Sequence, residues 1–80
     1  LTRDEETYIN IRFDMCVLIK SERERIGWSL SKLADAMEEP IESIKALESG
    51  DFNIPMDLMI QALLHLGTSR EQIAQILYKT

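Results

Sequence analysis

The sequence predicts an all-α domain of five helices, and three observations lead to this prediction. Hydrophobic residues make up 45% of the 80 residues, which is enough for a compact core. The chain has only three glycines and two prolines, and these five residues separate it into segments. Within the segments, apolar residues recur at three- and four-residue spacing, which is the spacing of one helix face. The length suits a single domain, 1–80.

A long first helix is predicted over residues 7–26, where there is no glycine or proline. Gly27 ends it. The acidic run 4–6 is expected to precede its start, where negative charge favours the helix dipole. Its apolar residues recur at helical spacing: Ile9, Phe13, Cys16, Val17 and Leu18.

Two short helices follow, over 30–37 and 41–49. Ser29 has the identity and position of an N-cap for the first of them. Pro40 suits the entry to the second, because its missing N–H group would have no partner there, and Gly50 is typical of a C-terminal cap. The apolar residues of both helices fall on single stripes: Leu30, Leu33, Ala34 and Met37, then Ile41, Ile44 and Leu47.

Two more helices are predicted over 55–66 and 70–78. Pro55 opens the first and Gly67 closes it. Ser69, with Gln72 three residues later, forms the pattern of a capping box at the start of the second.

The segment 23–50, RERIGWSLSKLADAMEEPIESIKALESG, resembles the lambda-repressor-like (Cro and repressor, or XRE-type) helix-turn-helix family. The resemblance is carried by an Arg four residues before a Gly, a Leu-Ala pair, and an Ile three residues before Leu-Glu-x-Gly. Here these are Arg23, Gly27, Leu33, Ala34, Ile44, Leu47, Glu48 and Gly50. The later residues from Pro55 to Gly67 also look like the closing helices of the family. The resemblance implies a five-helix lambda-repressor-like DNA-binding domain with a long N-terminal helix.

The resemblance also implies a function and its residues. It implies a sequence-specific transcriptional regulator that binds double-stranded DNA as a dimer, with helix 41–49 in the major groove. It implies an ion pair between Arg23 and Glu48. Carried over position by position, the base-contact candidates are Ile41, Glu42, Lys45 and Ala46, and the phosphate-contact candidates are Ser29, Leu30, Ser31 and Lys32.

The charge of the segment 28–54 keeps a second interpretation open. It contains two basic residues, Lys32 and Lys45, and six acidic ones, within a chain of net charge −5. Cations that contact phosphates supply most sequence-independent affinity for DNA, so this segment is poorly suited to nonspecific binding. The alternative is a protein-interaction module with the same fold that has lost its DNA contacts, such as a partner-binding regulator or an antitoxin-like component. Glu38 also stands where the family usually has Gly, and must take up an uncommon backbone conformation if the turn keeps its shape.

Several further expectations follow from composition. Excess apolar residues on 55–66, together with Tyr78, predict a homodimer surface on the last two helices, to which the first helix can contribute, although the same residues suit the monomer core. The single cysteine, Cys16, indicates a buried thiol and a cytoplasmic protein, and no apolar run approaches the length of a membrane span. The chain has one histidine, His65, and no spacing of metal-ligating residues. We therefore expect no enzyme activity, no metal site and no cofactor.

Overall fold

A computed structural model of the chain describes residues 2–78 and contains five helices with no strand among those residues. The helices are α1 (Arg3–Arg25), α2 (Leu30–Met37), α3 (Ile41–Ser49), α4 (Met56–His65) and α5 (Arg70–Tyr78). The all-helical prediction is therefore confirmed. The bounds of α2, α3 and α5 agree with those predicted from the sequence. Those of α4 differ by one residue at each end, because Pro55 and Leu66 are its caps.

The predicted start of α1 at residue 7 is wrong, because a capping box begins the helix four residues earlier. The Thr2 hydroxyl accepts a hydrogen bond from the Glu5 amide at 3.1 Å, and the Glu5 carboxylate accepts one from the Thr2 amide at 3.3 Å. Asp4, Glu5 and Glu6 consequently lie inside the first turn of the helix rather than before it. Their negative charges still favour the helix dipole there.

The buried face of α1 includes only one of the apolar residues whose spacing marks the helix in the sequence. Phe13 is 63% exposed and Val17 is 52% exposed, whereas Cys16 is buried, as expected. The buried residues of α1 are Arg12, Met15, Cys16, Ile19 and Glu22. Apolar side chains are spread around this helix, so its own sequence does not select a face. Contacts with α3, α4 and α5 bury the face that carries Ile19.

The core is built from all five helices, and α4 contributes most of its own apolar residues to it. The largest fully buried side chains are Ile19, Leu33, Ile44, Leu47, Met59 and Leu63. On α4, Met59, Ala62 and Leu63 are buried, while Met56 and Ile60 pack against the core cluster. Only Leu64, at 56% exposed, is a strongly exposed large apolar residue of this helix. The excess apolar character of α4 is therefore used mainly inside the monomer.

Three predicted helix caps are confirmed. The Ser29 hydroxyl accepts a hydrogen bond from the Lys32 amide at 3.0 Å, and Gly50 caps α3 in the left-handed conformation that glycine tolerates best. At α5, the Ser69 hydroxyl accepts from the Gln72 amide at 3.1 Å. The Gln72 side chain in turn accepts from the Ser69 amide at 3.0 Å. These caps fix where α2 begins, where α3 ends and where α5 begins.

Candidate functional site

The candidate site is built on α2, α3 and the short turn between them. Glu38, the C-cap of α2, has φ 55° and ψ 43°, which is the left-handed conformation. The expectation of an uncommon backbone conformation at this residue is confirmed. For a residue with a side chain this conformation costs roughly 1–2 kcal/mol. It is held by hydrogen bonds from the Glu38 amide to the carbonyls of Ala34 and Asp35.

Packing between α2 and α3 leaves one side of each helix free. Leu33 and Ala34 of α2 and Ile44 and Leu47 of α3 are buried. Ala34 is small, so the two short helices can approach closely in this region. The polar residues between the buried positions face away from the core.

The four base-contact candidates do not all have the same environment. Glu42 and Lys45 are exposed on α3, and within residues 2–78 they form no ion pair with each other. Ile41 is half-buried and packs against the core cluster, and Ala46 is also half-buried. Of the four, Glu42 and Lys45 have the side chains most available to a ligand.

The four phosphate-contact candidates lie at the start of α2. Ser29, Ser31 and Lys32 are exposed, whereas Leu30 is half-buried and packs on the core. The Ser29 hydroxyl is engaged in capping the helix. The Lys32 ammonium lies 5.5 Å from the centroid of the Trp28 ring, which is a cation–π contact. Trp28 itself is half-buried against the core cluster, so it supports this end of α2.

Arg23 and Glu48 join α1 to the end of α3. Arg23 Nε lies 2.6 Å from Glu48 Oε2, and Arg23 Nη2 donates to Glu48 Oε1 at 3.0 Å. Arg23 Nη1 also donates to the Trp28 carbonyl at 2.8 Å. The two side chains are only 11% and 9% exposed. The hydrogen bond to Glu48 raises the pKa of Arg23.

Arg12 makes a second link from α1, and sequence reasoning missed it. Its residue exposure is 5%, and its guanidinium donates to the carbonyls of Asp51 and Ile54 in the loop after α3. It also donates to the Tyr8 hydroxyl at 3.2 Å and lies 5.5 Å from the Phe52 ring centroid. The contacts with the loop join residues about 40 positions apart, so no local sequence pattern predicts them.

The exposed side of the α2–α3 unit is acidic. Asp35, Glu38, Glu42 and Asp51 are all exposed, against the two exposed lysines Lys32 and Lys45. Glu48 does not add to this surface charge, because Arg23 neutralises it.

A separate ion pair lies at the end of α1, where it contacts α5. Glu22 is 5% exposed, and its carboxylate accepts from Arg25 Nε at 2.7 Å and from Gln72 Nε2 at 3.5 Å. The hydrogen bond from Arg25 lowers the pKa of Glu22 in spite of burial, which acts in the opposite direction. Arg25 is therefore already engaged by a carboxylate of its own helix.

The single cysteine, Cys16, is buried on α1. Burial raises the pKa of the Cys16 thiol. Among residues 2–78, no cluster of three or more His, Cys, Asp or Glu side chains is arranged to hold a metal ion. No helix in that part of the chain is both long enough and apolar enough to cross a bilayer.

Comparison of the chain with protein-family models, with curated protein sequences and with solved structures gives no significant match.

Proposed function

We propose that this protein is a sequence-specific DNA-binding transcriptional regulator with a lambda-repressor-like fold, and that it acts as a dimer with α3 in the major groove. The observation that carries the proposal is the α2–α3 unit. Two short helices pack through Leu33, Ala34, Ile44 and Leu47, joined by a turn through a left-handed residue. This leaves Glu42 and Lys45 of α3 exposed.

The chemistry of these side chains suits base reading. Lys45 can donate to a guanine edge or to a phosphate, and Glu42 can accept from a cytosine amino group. The first amides of α2 offer a site for a backbone phosphate, because the amino end of a helix attracts anions. Two copies double these contacts, which offsets the weak attraction of an acidic surface for DNA.

Substitution of Lys45 tests the proposal. Lys45→Ala weakens binding to a specific duplex by ~1–3 kcal/mol if the side chain contacts a base. If it contacts a phosphate, the loss is even across sequences and the salt dependence becomes shallower. The matched control is Arg70→Ala, which removes one exposed charge at the start of α5, outside the α2–α3 unit. Equal loss for both variants, measured by fluorescence anisotropy, would contradict a specific role for α3.

A second candidate function rests on the acidic exposed surface of the same unit. Asp35, Glu38, Glu42 and Asp51 suit a basic protein partner, as expected of a protein-interaction module. Glu42→Lys separates the two functions, because the same substitution has opposite effects. It raises nonspecific affinity for DNA and steepens the salt dependence if α3 binds DNA. It weakens the complex with a basic protein if α3 binds such a partner.

A further inference from the structure

We propose that the outer face of α1, centred on Phe13 and Val17, binds a second copy of this chain in an antiparallel arrangement. This assignment rests on the dimer proposed above and names its surface. The two side chains lie one turn apart, so they form one apolar patch on a helix surface. They are 63% and 52% exposed, whereas Met15, Cys16 and Ile19 of the same helix are buried.

The shape of the surface suits a helix as the occupant. Val17 and Ser21 form a ridge between two grooves of about 320 and 310 Å³. The first groove separates α1 from the end of α3, and the second separates α1 from α5. Helices pack by placing the ridge of one into a groove of the other. Because this surface carries both a ridge and its flanking grooves, two copies of it complement each other about a two-fold axis.

The charges along α1 favour a second copy in antiparallel orientation. The first turn of α1 is acidic, with Asp4, Glu5 and Glu6, and all three are exposed. Lys20 is exposed at the edge of the first groove and forms no ion pair within residues 2–78. When Phe13 of one copy lies over Phe13 of the other at the two-fold axis, Lys20 of each copy lies opposite Glu6 of the second copy, because the helices run in opposite directions. An unrelated partner has no reason to share this self-matching charge order.

The surface on α4 and α5 expected from the sequence is the alternative interface. Met59, Leu63 and Ile76 are buried in the monomer, whereas Leu64 on α4 and Leu77 and Tyr78 on α5 are exposed. The outer face of α1 instead offers two adjacent exposed apolar side chains with a groove on each side.

Sedimentation equilibrium of the full chain tests the assignment with a matched pair of variants. Val17→Asp places a charge in the proposed interface and is expected to raise the dimer dissociation constant by roughly 30-fold or more. Leu64→Asp, at a similarly exposed apolar position on α4, is expected to change it by less than about threefold. A larger effect of Leu64→Asp than of Val17→Asp on the dissociation constant overturns the assignment. A wild-type protein that stays monomeric at millimolar concentration also overturns it.

An exchange of the charges at two exposed residues, Lys20 and Glu6, provides a second test of the interface. Lys20→Glu and Glu6→Lys are each expected to weaken dimerisation, and the double variant is expected to recover it, as a direct contact between copies requires. Additive weakening in the double variant would contradict the antiparallel register. Circular dichroism verifies that each variant is folded, and if Val17→Asp unfolds the domain, this exchange decides the question.

The outcome for the interface is separable from the outcome for DNA. A dimer that needs Val17 but enriches no duplex rejects the DNA proposal and keeps the interface. A monomer that still enriches a single half-site rejects the interface and keeps the DNA proposal.

Discussion

Two arginines of α1 hold the end of α3 and the loop that follows it in different ways. Arg23 forms a bidentate ion pair with Glu48 at the end of α3, whereas Arg12 binds two backbone carbonyls in the following loop and lies against the rings of Tyr8 and Phe52. They are eleven residues apart, about three turns, and therefore on the same side of the helix. One face of α1 therefore positions α3 through two contacts. One of them is with a charged partner and the other is with neutral groups.

The largest effect is expected from breaking the charged link. Arg23→Ala leaves the Glu48 carboxylate buried without its partner, which is expected to lower the free energy of unfolding by roughly 3–5 kcal/mol. Chemical denaturation measures this loss. The double variant Arg23→Met, Glu48→Leu removes both charges and is expected to lose much less. A single variant no worse than the double one would show that the pair is effectively solvated.

Breaking the neutral link is expected to cost less. Arg12→Met removes the donor to the Asp51 and Ile54 carbonyls but leaves no buried charge, so a loss of about 2 kcal/mol is expected. The same denaturation experiment measures it. Arg12→Lys keeps the charge but lacks the planar fork that reaches both carbonyls, so it is expected to recover only part of the stability. Full recovery by lysine would mean that charge alone matters at this position.

Relief of strain between α2 and α3 acts on α3 from its other end. Glu38→Gly removes the side chain that disfavours φ 55° and is expected to raise the melting temperature, corresponding to about 0.5–1 kcal/mol. Glu38→Ala is the control, since it removes the charge and keeps the strain. Equal stabilisation by both variants would assign the effect to acidic repulsion instead.

The smallest effect is expected at the ion pair outside this arrangement. The pKa of Glu22 lies below its ordinary value of 4.5 in the folded protein, chiefly because Arg25 donates a hydrogen bond to it. The carboxylate therefore stabilises the fold above that value, and the contribution is lost as the pH falls through the folded pKa. Stability curves of the wild type and Glu22→Gln are expected to converge on acidification. A constant difference from pH 7 to pH 3 would contradict this.

Local signals account for much of what the sequence predicted correctly. Gly50, Ser69 and Ser29 mark helix ends because capping depends on one or two neighbouring residues. The same chemistry was present at the start of α1, where Thr2 is followed by Glu5, and this pattern gives the correct helix start.

The features that the sequence did not predict depend on tertiary packing. The sequence of α1 distributes apolar residues all around the helix, so the exposure of Phe13 depends on where α3 and α5 pack. The role of Arg12 is of the same kind, because its two carbonyl partners in the loop lie about 40 residues away. The pairing of Arg23 with Glu48 was expected only through the resemblance to a family, since the spacing of two charged residues does not specify a contact.

Selection from a random duplex pool at low salt tests the central claim, that α3 binds DNA in a sequence-specific manner. The wild-type protein is expected to enrich a site with two related half-sites about 10–10.5 base pairs apart, centre to centre. The enriched site is expected to lose affinity on Lys45→Ala while the Arg70→Ala control retains it. Failure to enrich any sequence, with no salt-sensitive retention of the pool, would contradict the claim and favour a protein partner for the acidic α2–α3 surface.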